Sequence, residues 1–93
     1  MKKLMIVGIN NYNYSLKDDH DNNYNIVIEF YDLKVPPKVG EYIYISNKLL
    51  NEKMLAFGPI GGKYGKPIEN ENDDDLVVLI KNNERIYLQR YYG

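Results

Sequence analysis

Over most of this chain apolar and polar residues alternate with a period of two, while the longer period of an amphipathic helix is nearly absent. Residues 3–9, Lys-Leu-Met-Ile-Val-Gly-Ile, are β-prone, and the alternation resumes at Tyr12, Tyr14 and Leu16. Gly8 stands where a bulge would shift the phase, so the pattern predicts one long, broken first strand. A polar turn over residues 17–23 separates it from residues 24–34. There Ile26, Ile28 and Phe30 share one face, and Val27, Glu29 and Tyr31 the other. The two segments are expected to pair as a hairpin.

Pro36, Pro37 and Gly40 then break the pattern, because proline donates no ladder hydrogen bond and glycine suits a tight turn. Residues 41–45 alternate as a third strand. Ser46 follows as an N-cap for one or two helical turns reaching Lys53. Residues 54–57 form a fourth strand, ended by Gly58-Pro59. A long connection, residues 58–75, combines four glycines with five acids in residues 69–75. Local stability is expected to be low there, and at least residues 69–75 to be exposed and open to shortening to a Gly-Ser link at small cost. Residues 76–81 and 85–91 read as a closing hairpin about Asn82-Asn83, since asparagine tolerates positive φ. The whole predicts an all-β chain. Residues 1–93 would form a single small barrel of five to six strands, SH3-like or OB-like (oligonucleotide-binding), with one short helical turn. Pro37-Lys38-Val39-Gly40-Glu41 is common before a strand in such barrels but too generic to name a family.

Composition removes several function classes. The 93 residues include no cysteine and one histidine, which excludes disulfide scaffolds, thiol nucleophiles, iron–sulfur sites and multi-histidine metal sites. The longest apolar run, residues 76–80, is far short of the roughly 20 residues that span a bilayer. The N-terminus lacks the apolar length of a signal peptide, so a cytoplasmic location and no membrane partner are expected. Ten lysines against two arginines, with abundant asparagine, isoleucine and tyrosine, are the usage of an AT-rich genome. That points to a low-GC bacterium or its mobile element.

Short motifs mostly fail. Gly62-Lys63 and Gly65-Lys66 lack both the preceding glycine and the following hydroxyl residue of a phosphate-binding loop. Asp19-x-Asp21-x-Asn23 opens like a calcium loop, but Tyr24 and Phe30 occupy its glycine and closing glutamate positions. His20 lies in a solvated acidic turn, and Ser15 and Ser46 are the only serines in a chain without threonine. Glu29 and Glu41, taken to lie on neighbouring strands, are the one carboxylate pair in regular structure. No catalytic residue, metal site or cofactor is assigned.

Tyrosine is the informative residue. If Ile43, Ile45, Ile86 and Leu88 enter the core, then Tyr42, Tyr44, Tyr87, Gln89 and Tyr91 project outward, with Tyr31 opposite Phe30. Rigid amphipathic rings are enriched at protein contacts. The leading expectation is therefore a non-enzymatic protein-interaction module binding through Tyr31, Tyr42, Tyr44, Tyr87, Gln89 and Tyr91. Its partner could be a second copy joined along a C-terminal edge strand, residues 85–92, giving a homodimer. Net charge is −1, yet the acidic loops 17–21 and 69–75 carry −2 and −5, leaving +6 on the remainder. The alternative is thus single-stranded nucleic-acid or RNA binding. Tyr42, Tyr44 and Tyr87 would stack bases, while Lys34, Lys38, Lys63, Lys66, Arg85 and Arg90 meet the backbone.

Overall fold

The computed structural model describes residues 1–52, 54–59 and 76–90. Among them are seven strands, β1 (Lys2–Asn10), β2 (Asn13–Lys17), β3 (Asn23–Phe30), β4 (Tyr42–Ile45), β5 (Met54–Pro59), β6 (Leu76–Lys81) and β7 (Glu84–Arg90), and one short helix, α1 (Asn47–Leu50). The strands close into a barrel in the order β1-β2-β3-β5-β7-β6-β4, with β4 returning to pair with β1. Only β3 and β5 run parallel. The expected all-β barrel is present, with seven strands rather than five or six. The excess arises at Asn11, whose φ of 56° reverses the chain and splits the first segment into the antiparallel pair β1 and β2. The bulge falls at the expected place, where the register slips between Ile6 and Gly8.

Inward positions follow the period-two pattern. Leu4, Ile6, Leu16, Ile28, Ile43, Ile45, Phe57, Val77, Leu79 and Leu88 are all essentially inaccessible. Tyr14 is also buried and meets Phe30 edge-on, ring centroids 5.5 Å apart. Helix α1 is shorter than expected, yet Ser46 caps it by accepting from the Leu49 amide at 3.2 Å, and Leu49 is delivered into the core. Strand β5 continues through Gly58 and Pro59 instead of ending before them. As the last strand residue, Pro59 can pair with Leu88 without a missing donor interrupting the ladder. The closing hairpin turns at Asn82 and Asn83, with φ of 50° and 65°.

Strand β7 is not a bare edge. It pairs with β6 along its length, and Leu88–Arg90 pair with β5 on the other side, so strand addition by a second copy has no access along Leu88–Arg90. Lys63, Lys66, Tyr91 and most of the long connection lie outside the described residues. No helix among the described residues is long and apolar enough to cross a membrane.

Candidate interaction face

Directly opposed residues of an antiparallel pair share a face, so the register assembles the outer surface row by row. One row runs Lys17, Met5, Tyr42, Ile80, Arg85 across β2, β1, β4, β6 and β7. The next runs Lys3, Tyr44, Val78, Tyr87 across β1, β4, β6 and β7. Beyond them Gln89 stands opposite Leu76. Four of the six expected interface residues, Tyr42, Tyr44, Tyr87 and Gln89, thus fall on one face. The two rows hold three cations, three tyrosines and three apolar residues without an acid.

Cations order the rings. Lys3 Nζ lies 4.6 Å from the centre of the Tyr42 ring and 6.0 Å from that of Tyr44. The Arg85 guanidinium carbon lies 5.6 Å from the Tyr44 ring centre. At such distances the ring quadrupole attracts the charge by about 0.5–1 kcal/mol at exposed sites. Tyr42, Tyr44 and Tyr87 are all half-buried. Val78 points outward between Tyr44 and Tyr87 in register and is only 2% exposed.

Beside Tyr42 a hollow of about 470 Å³ is lined by Lys2, Lys3, Met5, Lys17 and the loop aspartates Asp18 and Asp19. Asp18 is committed to the loop itself. Its carboxylate accepts from the His20 and Asn22 amides, the Asn22 side chain and the Tyr24 hydroxyl. Partial burial opposes its ionisation, but these four donors prevail and hold its pKa at about 2. Lys2 Nζ donates to the same Tyr24 hydroxyl at 2.9 Å, and that bond raises the lysine pKa.

The remaining expected residues are scattered. Tyr31 follows β3 and belongs to the far side of the barrel, where its amide donates to the Phe57 carbonyl and Glu29 raises its hydroxyl pKa through a hydrogen bond. There Tyr12, Val27, Glu29, Met54, Ala56 and Arg90 line a groove of about 210 Å³. Arg90, expected to meet a phosphate, makes a two-pronged ion pair with Glu52 at 2.7 and 2.8 Å. Lys34 and Lys38 lie near the end of the barrel, beside the Lys81–Glu41 ion pair of 2.7 Å. Glu41 also accepts from the Lys38 amide, which fixes the turn before β4.

Glu29 and Glu41 do not converge as a carboxylate pair. In the barrel β3 is separated from β4 by β1 and β2, and Glu41 is held by Lys81. The His20 side chain is 82% exposed, so nothing walls it into a pocket. Lys3, Met5 and Lys17 were missed by sequence reasoning, because their place beside Tyr42 depends on a register set between distant segments. No family model matches the chain, and comparisons with curated proteins and with solved structures return no match.

Proposed function

We propose that this chain is a non-enzymatic protein-interaction module of a low-GC bacterium or its mobile element, acting in the cytoplasm through the outer face over β1, β4, β6 and β7. One observation carries the reading: Tyr42 and Tyr44 stand in fixed positions under Lys3 and Arg85, beside an almost inaccessible Val78. Tyrosine and arginine are the side chains most enriched where protein contacts are strong. Rings ordered before the partner arrives lose less rotamer freedom on binding. Base stacking needs an open ring face, and here cations already lie over two of the three rings. The dispersal of Lys34, Lys38 and Arg90 away from those rings further favours a protein over a nucleic-acid strand.

A photo-crosslinking amino acid at position 87, compared with the same group at position 12 on the opposite side, tests the reading in source cells. The expected result is a discrete protein adduct from position 87 alone, suppressed by excess unlabelled chain. A nuclease-sensitive adduct, or equal yields from both positions, overturns it. An adduct of twice the chain mass would identify the partner as a second copy.

A further inference from the structure

The mouth of the barrel beside the β6–β7 turn holds a pocket outside the face described above. Leu79 stands opposite Ile86 and Lys81 opposite Glu84, so the alternation that buries Leu79 turns Ile86, Lys81 and Glu84 to the inner side of the same hairpin. Glu41, two positions before the buried Ile43, joins them from just ahead of β4. Lys34, Val35 and Lys38 of the β3–β4 connection and Asn82 of the turn complete the lining of about 370 Å³. That is the lower end of the volumes ligand pockets occupy.

Part of the lining is fixed before any ligand arrives. The Lys81 side chain is 9% exposed, and its ammonium donates one hydrogen bond, to Glu41 at 2.7 Å, which leaves two of its three protons without a partner among the described residues. The same Glu41 oxygen accepts from the Lys38 amide. In return the Glu41 amide donates to the Lys38 carbonyl at 3.1 Å, closing a turn whose third residue, Gly40, has a φ of 96°. Buried Pro37 anchors the connection ahead of that turn. The Lys34, Lys38 and Glu84 side chains, at the exposed rim, have no ion-pair partner among the described residues.

We propose that this pocket binds a monocarboxylate carried on a short apolar body, its carboxylate among Lys34, Lys38 and Lys81 and its body against Val35 and Ile86. Charge decides the class. Three lysines against two glutamates leave one net positive charge, which a carboxylate neutralises and a doubly charged phosphate exceeds. Glu84 at the rim opposes any second negative charge. The apolar walls call for an attached body, because a bare inorganic anion would leave Val35 and Ile86 in water. Ionised donor and acceptor make the ammonium–carboxylate bonds the strong contacts of the site. A free small acid and the C-terminal carboxylate of a polypeptide share this chemistry and differ in whether a backbone amide precedes the body.

Amide chemical-shift titration of the full chain tests the site with acetyl-glycyl-valine, its C-terminal amide, isovalerate and inorganic phosphate. The acids should shift the amides of Val35, Lys38, Lys81 and Glu84 with dissociation constants of about 1 mM, and the neutral valine amide should bind at least about tenfold more weakly. Lys34→Gln and Lys38→Gln, both at exposed positions, should each weaken the acids about threefold, whereas Glu84→Gln removes an opposing charge and should tighten them about twofold. Lys48→Gln, on α1 past the other end of β4, should change nothing. Tighter binding of the dipeptide identifies a polypeptide C-terminus as the source, tighter binding of isovalerate a free acid, and equal binding makes carboxylate and body the whole recognised unit. No shift at about 10 mM of either acid overturns the proposal. So do equal shifts from acid and amide, tighter binding of phosphate than of the acids, or affinities unchanged in all three pocket variants.

Discussion

Tyr42 and Tyr44 stand half-buried under Lys3 and Arg85 on one side of the barrel, whereas across it, over β3 and β5, Tyr12 is 56% and Met54 73% exposed. Both surfaces present large apolar groups on the same closed sheet. They differ in what restrains those groups. The first surface has a second layer of contacts, cation on ring and ring beside Val78. The second relies on the backbone pairing of β3 with β5 and leaves its methionine free to sample rotamers. Ordering a flexible side chain on binding costs about 0.5–1.5 kcal/mol, so the restrained surface is the better prepared interface. Exposed apolar residues alone do not identify a binding face, because much of any folded surface is apolar.

The largest expected effect comes from the ion pairs near the two surfaces. Lys81 is 9% and Glu41 21% exposed as side chains, against 17% and 35% for Arg90 and Glu52. Lys81→Ala would leave a largely buried carboxylate without its cation and also loosen the Lys38 turn. A loss of about 3 kcal/mol is expected in urea unfolding. Arg90→Ala leaves Glu52 with access to water and should cost only about 1 kcal/mol. Equal losses would show that the two ends of the barrel depend alike on their charges, and the contrast between them would fail.

Ring removal comes next. Tyr44→Ala strips a half-buried ring from beside Val78 and from beneath Lys3 and Arg85. Full removal of a core ring costs about 3–5 kcal/mol, so about 2 kcal/mol is expected here. Met54→Ala, which removes a mostly exposed side chain, should stay within about 0.5 kcal/mol. A negligible effect of Tyr44→Ala would mean that its contacts with the cations and Val78 contribute nothing, and the restrained surface would be no better ordered than the other. Both variants can be measured by urea denaturation with the same optical signal, since each retains most of the tyrosines.

Local chemistry explains which of these features were legible beforehand. The Ser46 cap, the Asn82-Asn83 turn, the Gly8 bulge and the inward isoleucines each depend on residues within a few positions, so their types reveal them. Splitting of the first strand was missed because Asn11 reads as an interruption in an alternating run, and only its left-handed φ makes a reversal. The outward tyrosines follow from alternation alone. Which tyrosines become neighbours does not, because β1 meets β4 from about forty residues away and Tyr31 ends on the other side. The same distance hides Lys3 beside Tyr42, the Arg90–Glu52 pair and the occupied side of β7.

The smallest expected effect concerns the β2–β3 loop, which borders the restrained surface at Lys17. There Lys2 donates to the Tyr24 hydroxyl, and that hydroxyl donates to Asp18. With a folded pKa of about 2 against an ordinary value of 3.8, Asp18 binds its proton more weakly in the folded state. Its stabilising contribution is therefore complete above about pH 4 and declines as pH falls toward 2. Lys2 has the opposite sign: its raised pKa gives a contribution present below 10.5 and lost as pH rises through the folded value. Asp18→Asn should be less stable than the parent at pH 6, and the difference should shrink steadily between pH 4 and pH 2. Tyr24→Phe removes the shared hydroxyl, so it should lessen the acid dependence and also weaken the alkaline one. If the parent and Asp18→Asn lose stability in parallel through that acid range, the four donors do not hold the carboxylate ionised, and the loop beside Lys17 owes its shape to backbone turns alone.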